Sequence, residues 1–313
     1  MMDPIEKIDL QYDTSLSLIE ECQHRGHRVF YVEPKNLVLT NQTVKALAKL
    51  VAVDRKKGIR VLLQETIHLN KADYIFIRKD PPVDLEYIYM THILESLANQ
   101  VTIINSPQGI RDANEKIFTF QFKKWVPPSI VTSERKAILS FQKEIASDLI
   151  LKPLNQKGGE GIYFLSKNAA QKEAIINRAT RNGRETLIAQ KFLKKGLRDG
   201  DKRILIWNGK IIGAFGRVPK RGEFRANLSL GGTSKKVTVT AREKRIVQTL
   251  VPTLKRMGLI FVGLDLIDGF ITEINVTSPA GIVDIQELYG IHLERGMVDW
   301  LERNVKTKRL RSS

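Results

Sequence analysis

Two apolar runs, Phe261–Ile267 and Phe270–Val276, are separated only by Asp268-Gly269, a connection so short that it obliges them to pair as an antiparallel hairpin. Side chains alternate between the faces of a strand, so loop length decides which residues of the pair can meet. The runs carry Asp265, Glu273 and Asn275 where alternation otherwise asks for a core or a plain solvated face. With a two-residue loop and regular pairing, Asp265 opposes Thr272 and the two acids lie on opposite faces. With a three-residue loop or one bulge, Asp265 stands opposite Glu273, and Asn275 joins the same face two residues on. Two carboxylates and an amide are the oxygen donors a hard cation such as Mg²⁺ takes, completed by substrate phosphates. A metal site here therefore requires an odd loop or a bulge; without one these residues only face water.

The rest of the chain alternates helix and strand signals. Asp13, Thr14 and Ser15 precede Leu16, Leu18, Ile19 and Cys22, and Gly26 follows, the pattern of a capped helix closed by glycine. Strands are predicted at Arg28–Val32, Tyr74–Ile77 and Val101–Ile104, with a helix over Leu85–Leu97 and another opening at Ser106-Pro107. This predicts an open α/β unit with a parallel sheet over residues 1–114. A second, α+β unit covers 115–188, with a helix at Glu115–Trp125 and strands at Leu149–Lys152 and Ile162–Leu165. A third covers 189–313 and is strand-rich, with strands expected at Thr186–Phe192, Arg203–Trp207, Ile211–Arg217 and Val237–Thr240 before the hairpin.

Composition narrows the function classes. The chain of 313 residues is 42% hydrophobic and 27% charged, with 51 basic against 34 acidic residues and a net charge of +17. That excess first points to a polyanionic partner. It is local, however: Arg217–Arg256 holds 11 basic and 2 acidic residues, and Arg303–Arg311 adds five basic residues without an acid. Zinc spacing, a recognition-helix motif and an aromatic-laced basic stripe are all missing, so specific nucleic-acid binding is the remote alternative. Neither a membrane-spanning apolar run nor a secretory leader is apparent, which makes cytoplasmic location the expectation. Cys22 is the only cysteine, which excludes an internal disulfide and favours a small buried hydrophobe over a catalytic thiol.

Two more groups carry chemistry. Lys152 ends a strand and is followed by a loop containing Gly158, Gly159 and Gly161, where glycines let backbone N–H groups approach phosphate oxygens; a flexible hairpin turn is the plainer reading. Asp199-Gly200-Asp201-Lys202-Arg203 leads into a strand, with Arg217, Arg221 and Arg225 later. Guanidinium forks bind carboxylate and phosphate in bidentate fashion, although a solvated basic face explains any one of them.

Taken in order, Met2-Asp3-Pro4-Ile5, Arg78-Lys79-Asp80-Pro81-Pro82, Asn114-Glu115-Lys116, Ile150-Leu151-Lys152-Pro153-Leu154, Asp199-Gly200-Asp201-Lys202-Arg203, Gly258-Leu259-Ile260-Phe261-Val262-Gly263-Leu264-Asp265 and Thr272-Glu273-Ile274-Asn275-Val276-Thr277-Ser278-Pro279 resemble the bacterial glutathione synthetases, which are ATP-grasp ligases. The resemblance implies an α/β N-terminal domain with an open parallel sheet, followed by an ATP-grasp fold of two α+β subdomains. It implies joining of γ-glutamylcysteine to glycine through an acyl phosphate, with release of ADP and phosphate. Lys116 and Lys152 match phosphate-holding lysines, with Gly158, Gly159 and Gly161 beside them. Gln190, Lys191, Phe192 and Leu193 match the hinge strand at adenine, and Asp201 the ribose contact. Asp265, Glu273 and Asn275 match ligands of two Mg²⁺ ions, Mn²⁺ being the alternative. Arg203, Arg217, Arg225 and Asn227 match groups at the transferred phosphate and the peptide, with Ser278 nearby. The resemblance also implies a homo-oligomer, and a lid over Pro219–Lys236 that would keep an acyl phosphate dry.

Three places depart from the family pattern. A short strand normally precedes Met-Asp-Pro, where only Met1 stands here. Gln156, Lys157 and Glu160 replace smaller residues of the glycine loop, and Ala280 and Val283 replace a threonine and an arginine near the peptide pocket. Another ATP-grasp carboxylate–amine ligase, or a weakly active paralogue, using the same ATP chemistry on a different acid or amine is therefore the nearer alternative.

Overall fold

The computed structural model describes residues 1–156, 158–220, 223 and 231–312, the last seven by backbone path alone. Lys157, Arg221, Arg225, Asn227 and half of the expected lid fall outside the described residues.

The first unit contains strands β1 (Phe30–Tyr31), β2 (Leu37–Leu39), β3 (Val44–Asp54), β4 (Gly58–His68), β5 (Tyr74–Phe76) and β6 (Thr102–Ile104). Helix α1 (Thr14–His24) begins where Asp13 accepts hydrogen bonds from the backbone N–H groups of Ser15 and Leu16. Helices α2 (Leu85–Glu95) and α3 (Pro107–Asp112) are capped in the same way by Asp84 and Ser106. The parallel pairing predicted between the segments at 74 and 101 is present as β5–β6, extended by a parallel bridge from Met2 to Arg78. The predicted strand at Arg28–Val32 does not join it: β1 pairs antiparallel with β3, in a second, antiparallel sheet with β2 and β4. Most of this unit's strand pairing is thus antiparallel.

The long β3–β4 hairpin escapes the sequence reading because its alternation changes phase. Val44, Ala46 and Ala48 are buried against the α2 side of the sheet, whereas Val51 and Val53 are buried against the α1 side. One strand buries opposite faces at its two ends, so no single period-two pattern spans it.

The second unit is a four-stranded antiparallel sheet of β7 (Ser129–Thr132), β8 (Leu149–Pro153), β9 (Tyr163–Leu165) and β10 (Leu187–Lys191), in the order β7-β10-β8-β9. Helices α4 (Arg135–Glu144) and α5 (Lys172–Ala179) cover one face through Ile138, Leu149, Leu151 and Ile176. Strand β10, across which the expected boundary at 188/189 falls, pairs along its whole length with β7 and β8. The helix expected at Glu115–Trp125 is a kinked 3₁₀ segment, Ile117–Trp125, broken at Phe122 with φ −115° and ψ 46°.

The third unit contains α6 (Lys195–Asp199), β11 (Asp201–Trp207), β12 (Lys210–Val218), β13 (Thr233–Lys235), α7 (Ala241–Arg256), β14 (Phe261–Ile267), β15 (Phe270–Asn275), α8 (Ile282–Tyr289) and α9 (Leu293–Ser312). Its sheet runs β13-β12-β11-β14-β15, all antiparallel. One face packs on α7, starting at a Thr240–Glu243 capping box, and the other on α8 and α9. The segment expected as a strand at Val237–Thr240 pairs with no strand among the described residues. The Tyr289 hydroxyl accepts from Val237 N at 2.6 Å and donates to its carbonyl at 3.0 Å, taking the place of a neighbouring strand.

Asn105, only 2% exposed, ties the first unit to this hairpin. Its Nδ2 donates to the carbonyls of Phe261 (2.6 Å) and Val276 (2.7 Å), and its Oδ1 accepts from Ile260 N and Phe261 N, both at 2.7 Å. All four hydrogen-bonding positions of the amide are filled.

Candidate active site

The loop at Asp268-Gly269 keeps two residues, both with positive φ (51° and 71°), as a tight hairpin turn requires. The required bulge lies one step up the strand. Leu266 pairs with Ile271, but Asp265 pairs with Glu273, so Thr272 is the extra residue. Thr272 is buried, and its hydroxyl donates to the Asp265 carbonyl at 3.2 Å. Asp265, Glu273 and Asn275 consequently share one face, with Asn275 Nδ2 3.2 Å from Asp265 Oδ2.

That face is one wall of a cleft open to solvent. The other wall is the sheet of the second unit, where Lys152 on β8 and Gln190 on β10 point away from α4 and α5. Lys152 pairs with Ile188 and Gln190 with Ile150, and Lys152 Nζ reaches across to donate to Gln190 Oε1 at 3.1 Å. Burial drives the Lys152 ammonium below its ordinary value and nearby Lys116 adds to this, while Glu273, Asp265 and Asp201 work in the opposite direction. Lys116 is also buried and donates to the Gln156 carbonyl at 2.9 Å, which fixes one side of the glycine loop. Gly158, Gly159 and Gly161 all have positive φ, which lets the loop bend back over the cleft without strain.

The charges on the opposite wall interlock. Arg203 grips Asp265 in a fork, Nε to Oδ1 at 2.6 Å and Nη2 to Oδ2 at 2.7 Å. Arg217 forks onto Asp201 with both contacts at 2.7 Å and reaches Asp265 Oδ2 at 2.9 Å. Burial alone would raise the Asp265 carboxyl, but two guanidiniums outweigh it and hold the group well below the usual carboxylate range. Asp201, with only Arg217 forked onto it, is pushed up by its burial. Gly200 makes this packing feasible, because a Cβ there would lie 1.8 Å from the Arg217 carbonyl.

The cleft lining joins apolar side chains, among them Ile150, Ile162, Phe192, Leu193 and Ile267, to the charged and polar Lys116, Lys152, Asp201, Arg203, Arg217, Asp265, Glu273 and Asn275. A molecule with a flat apolar part and a polyanionic tail fits such a mixed lining. Among the described residues no group of three or more His, Cys, Asp or Glu is placed to hold a metal. The oxygen set of Asp265, Glu273 and Asn275 still fits a hard cation that shares its coordination with a bound phosphate.

Of the sequence-predicted residues, Lys191 also lines the cleft, Gly161 lies behind it against Pro153, and Ser278 lies at the junction with the first unit, where its hydroxyl donates to the Arg78 carbonyl at 3.4 Å. Arg225 and Asn227 lie outside the described residues. Sequence reasoning gave no role to Glu115, which lines the cleft. Its Oε1 accepts from Val276 N, Thr277 N and Thr277 Oγ1 at 3.1, 3.3 and 2.9 Å, and burial raises the carboxyl despite these bonds. It also missed Arg78, buried where Nε donates to Ser15 Oγ at 3.0 Å and Nη1 to the Pro279 carbonyl at 2.8 Å. Both residues fall inside family-like stretches, the one signal that could have singled them out. Cys22 lies on α1, outside the cleft lining, and burial pushes its thiol up to about 11, unsuited to nucleophilic work.

Residues 1–111 match the family model for the prokaryotic glutathione synthetase N-terminal domain, and residues 115–290 that for the prokaryotic glutathione synthetase ATP-grasp domain. The chain is 40% identical over 317 residues to a glutathione synthetase of Synechocystis sp., covering 97% of this chain and 98% of that one. It is 39% identical over 310 residues to the glutathione synthetase of Vibrio parahaemolyticus, covering 98% of each. Among solved structures, the ATP-grasp ligase PsnB in complex with a minimal precursor superposes with a TM-score of 0.65 at 16% identity, over 96% of this chain and 97% of that one. A RimK domain ATP-grasp protein of Sphaerobacter thermophilus gives 0.61 at 16% identity, over 95% and 97%. The fold is ATP-grasp, and the chain belongs to the prokaryotic glutathione synthetase family.

Proposed function

We propose that this chain makes glutathione: ATP phosphorylates the cysteinyl carboxylate of γ-glutamylcysteine, and the glycine amine displaces phosphate from the resulting acyl phosphate. One C–N bond forms, the ATP γ-phosphoryl linkage is broken, and ADP and inorganic phosphate leave. The observation that carries the reading is a single cleft whose lining includes apolar Phe192 and Leu193 together with the face on which Asp265 opposes Glu273.

Each residue's part follows from its chemistry. The apolar part of the lining, with Gln190 to Leu193, takes the adenine, and Asp201 the ribose. Lys116 and Lys152 bind the phosphates, with the backbone of Gly158, Gly159 and Gly161 alongside. Arg203 and Arg217 face the charge that develops during transfer, since little covalent work falls to the protein in phosphoryl transfer. Asp265, Glu273 and Asn275 would hold divalent metal, Mg²⁺ or Mn²⁺, which when bound neutralises phosphate charge. Ser278, with Arg225 and Asn227, serves the peptide. The residues divide the work by domain: 1–114 and 189–313 frame the acid substrate, and 115–188 closes on the nucleotide. A cytoplasmic site of action suits substrates of this kind, and no helix among the described residues is long and apolar enough to cross a membrane.

Release of ADP measured with γ-glutamylcysteine and glycine, against a panel of other acids and amines, tests the assignment. Fastest turnover on the first pair is expected; turnover only on another pair would assign a different ligase activity to the cleft.

A further inference from the structure

The outer face of α7 carries charge that the cleft does not use. Arg242, Lys244, Arg245, Lys255 and Arg256 are exposed along it, on a helix of 16 residues that spans about 24 Å. The helix has one acid, Glu243, which is buried and held by Lys202 Nζ at 2.7 and 2.8 Å. Lys123 and Lys124 are exposed at the end of the acid-free 3₁₀ segment. Among the described residues, none of these cations is ion-paired with a carboxylate. Arg242 and Arg245 stand one turn apart and repel each other, a cost that an exposed helix ordinarily relieves with an acid three or four residues away.

At the N-terminal half of this face the charges converge on a hollow. Lys124, Trp125, Arg242, Arg245, Gln248 and Thr249 line it, and none of them lines the cleft. Arg242 is built into the hollow. Its guanidinium lies over the rings of Trp125 and Phe270, 5.1 and 5.6 Å from their centroids, and its Nε donates to the Gly269 carbonyl at 3.3 Å. Such stacking holds a long side chain in place without consuming its remaining N–H donors. Lys124 Nζ lies 5.3 Å from the centroid of the same indole, and the lining contains no carboxylate. The hollow is therefore a set of positioned donors that favours an anion.

We propose that this face binds nucleic acid through its sugar–phosphate backbone. One phosphate seats among Lys124, Arg242 and Arg245, and those that follow run along α7 toward Lys255 and Arg256. An isolated phosphate would need the hollow alone; the acid-free continuation of the helix matches a ligand that repeats its charge. The Trp125 ring is engaged by Lys124 and Arg242 rather than presented to a base, so binding is indifferent to base sequence. Trp125 and Arg242 are far apart in the chain, and folding alone brings an aromatic residue into the basic stripe.

Fluorescence anisotropy of the full chain with labelled single strands of about 20 nucleotides, in two unrelated sequences and at about 50 to 200 mM salt, tests this. Both sequences should bind alike, with an affinity that falls steeply as salt rises. Lys124→Glu and Arg245→Glu should each weaken binding about fivefold or more at the lowest salt and reduce the salt slope by about 0.7 per lost contact. Lys57→Glu, the same charge change on the turn between β3 and β4, should do neither. The basic run 303–311 is common to all these chains, so a difference among them belongs to the α7 face. Circular dichroism verifies folding, and since no step of the ligase reaction is read, the result is independent of the function proposed above. Absence of binding, equal effects of the three exchanges, a preference above about tenfold for one sequence, or binding of inorganic polyphosphate without oligonucleotide would overturn the proposal.

Discussion

Asp265 stands directly opposite Glu273 across the β14–β15 hairpin, although a two-residue loop with regular pairing would have set them on opposite faces. The single bulged residue, Thr272, makes the difference. It spends one residue without a cross-strand partner, turns inward, and is held there by its hydroxyl on the Asp265 carbonyl. A one-residue register change thus converts two solvated acids into a pair that can share a ligand.

Glu273→Gln keeps the shape of the side chain and the bulge, and removes one charge. ADP formation should fall by about 100-fold or more while the thermal midpoint stays within a degree or two. Mn²⁺ binding in the presence of nucleotide, followed by electron paramagnetic resonance, should weaken in parallel. Near-normal turnover would return Glu273 to a solvated role.

Lys152 is held below its ordinary value chiefly by burial, and a polyphosphate beside it restores the charged form. ATP binding at a pH between the lowered value and the ordinary 10.5 should therefore take up protons, seen as a calorimetric enthalpy that varies with the ionisation enthalpy of the buffer. Lys152→Ala should weaken ATP binding about tenfold or more and abolish that buffer dependence. Unchanged affinity together with unchanged proton uptake would remove the lysine from the phosphate site.

Glu115 has its carboxyl raised above 4.5 by burial, with the Thr277 hydrogen bonds opposing. The folded chain therefore holds a proton that the unfolded chain has lost, over a window starting near 4.5. Stability from this group is fully present below the window and declines as pH rises through the raised value. Glu115→Gln retains an oxygen to accept from Val276 and Thr277 and has no such decline. Urea unfolding at pH 5 and pH 8 should show the variant gaining on the unaltered chain at the higher pH; a shift the other way would contradict the burial argument.

Asn105→Ala leaves two carbonyls and two N–H groups at the hairpin without their partners. A cost of about 3 to 5 kcal/mol is expected from denaturant unfolding, because each orphaned buried group carries a desolvation penalty. Loss of less than about 1 kcal/mol would mean that water replaces the amide freely.

The hairpin, the Lys152–glycine loop, the Asp199–Arg203 segment and the capped helices were legible in the amino-acid sequence, because each depends on neighbours a few residues away. The chain alone also stated the condition for a metal face, a bulge or an odd loop. It could not say which of the two holds, since Thr272 is turned inward only by contact with a second strand. Nor could it show Lys152 reaching Gln190, 38 residues distant, or Arg203 and Arg217 converging on Asp265. The β3–β4 hairpin remained hidden for a related reason: α2 covers one face at one end and α1 the other face at the other, so the buried pattern belongs to the packing partners. Local periodicity determines which side chains share a face, and only the tertiary structure decides which face is buried, against what, and with which charges brought into contact.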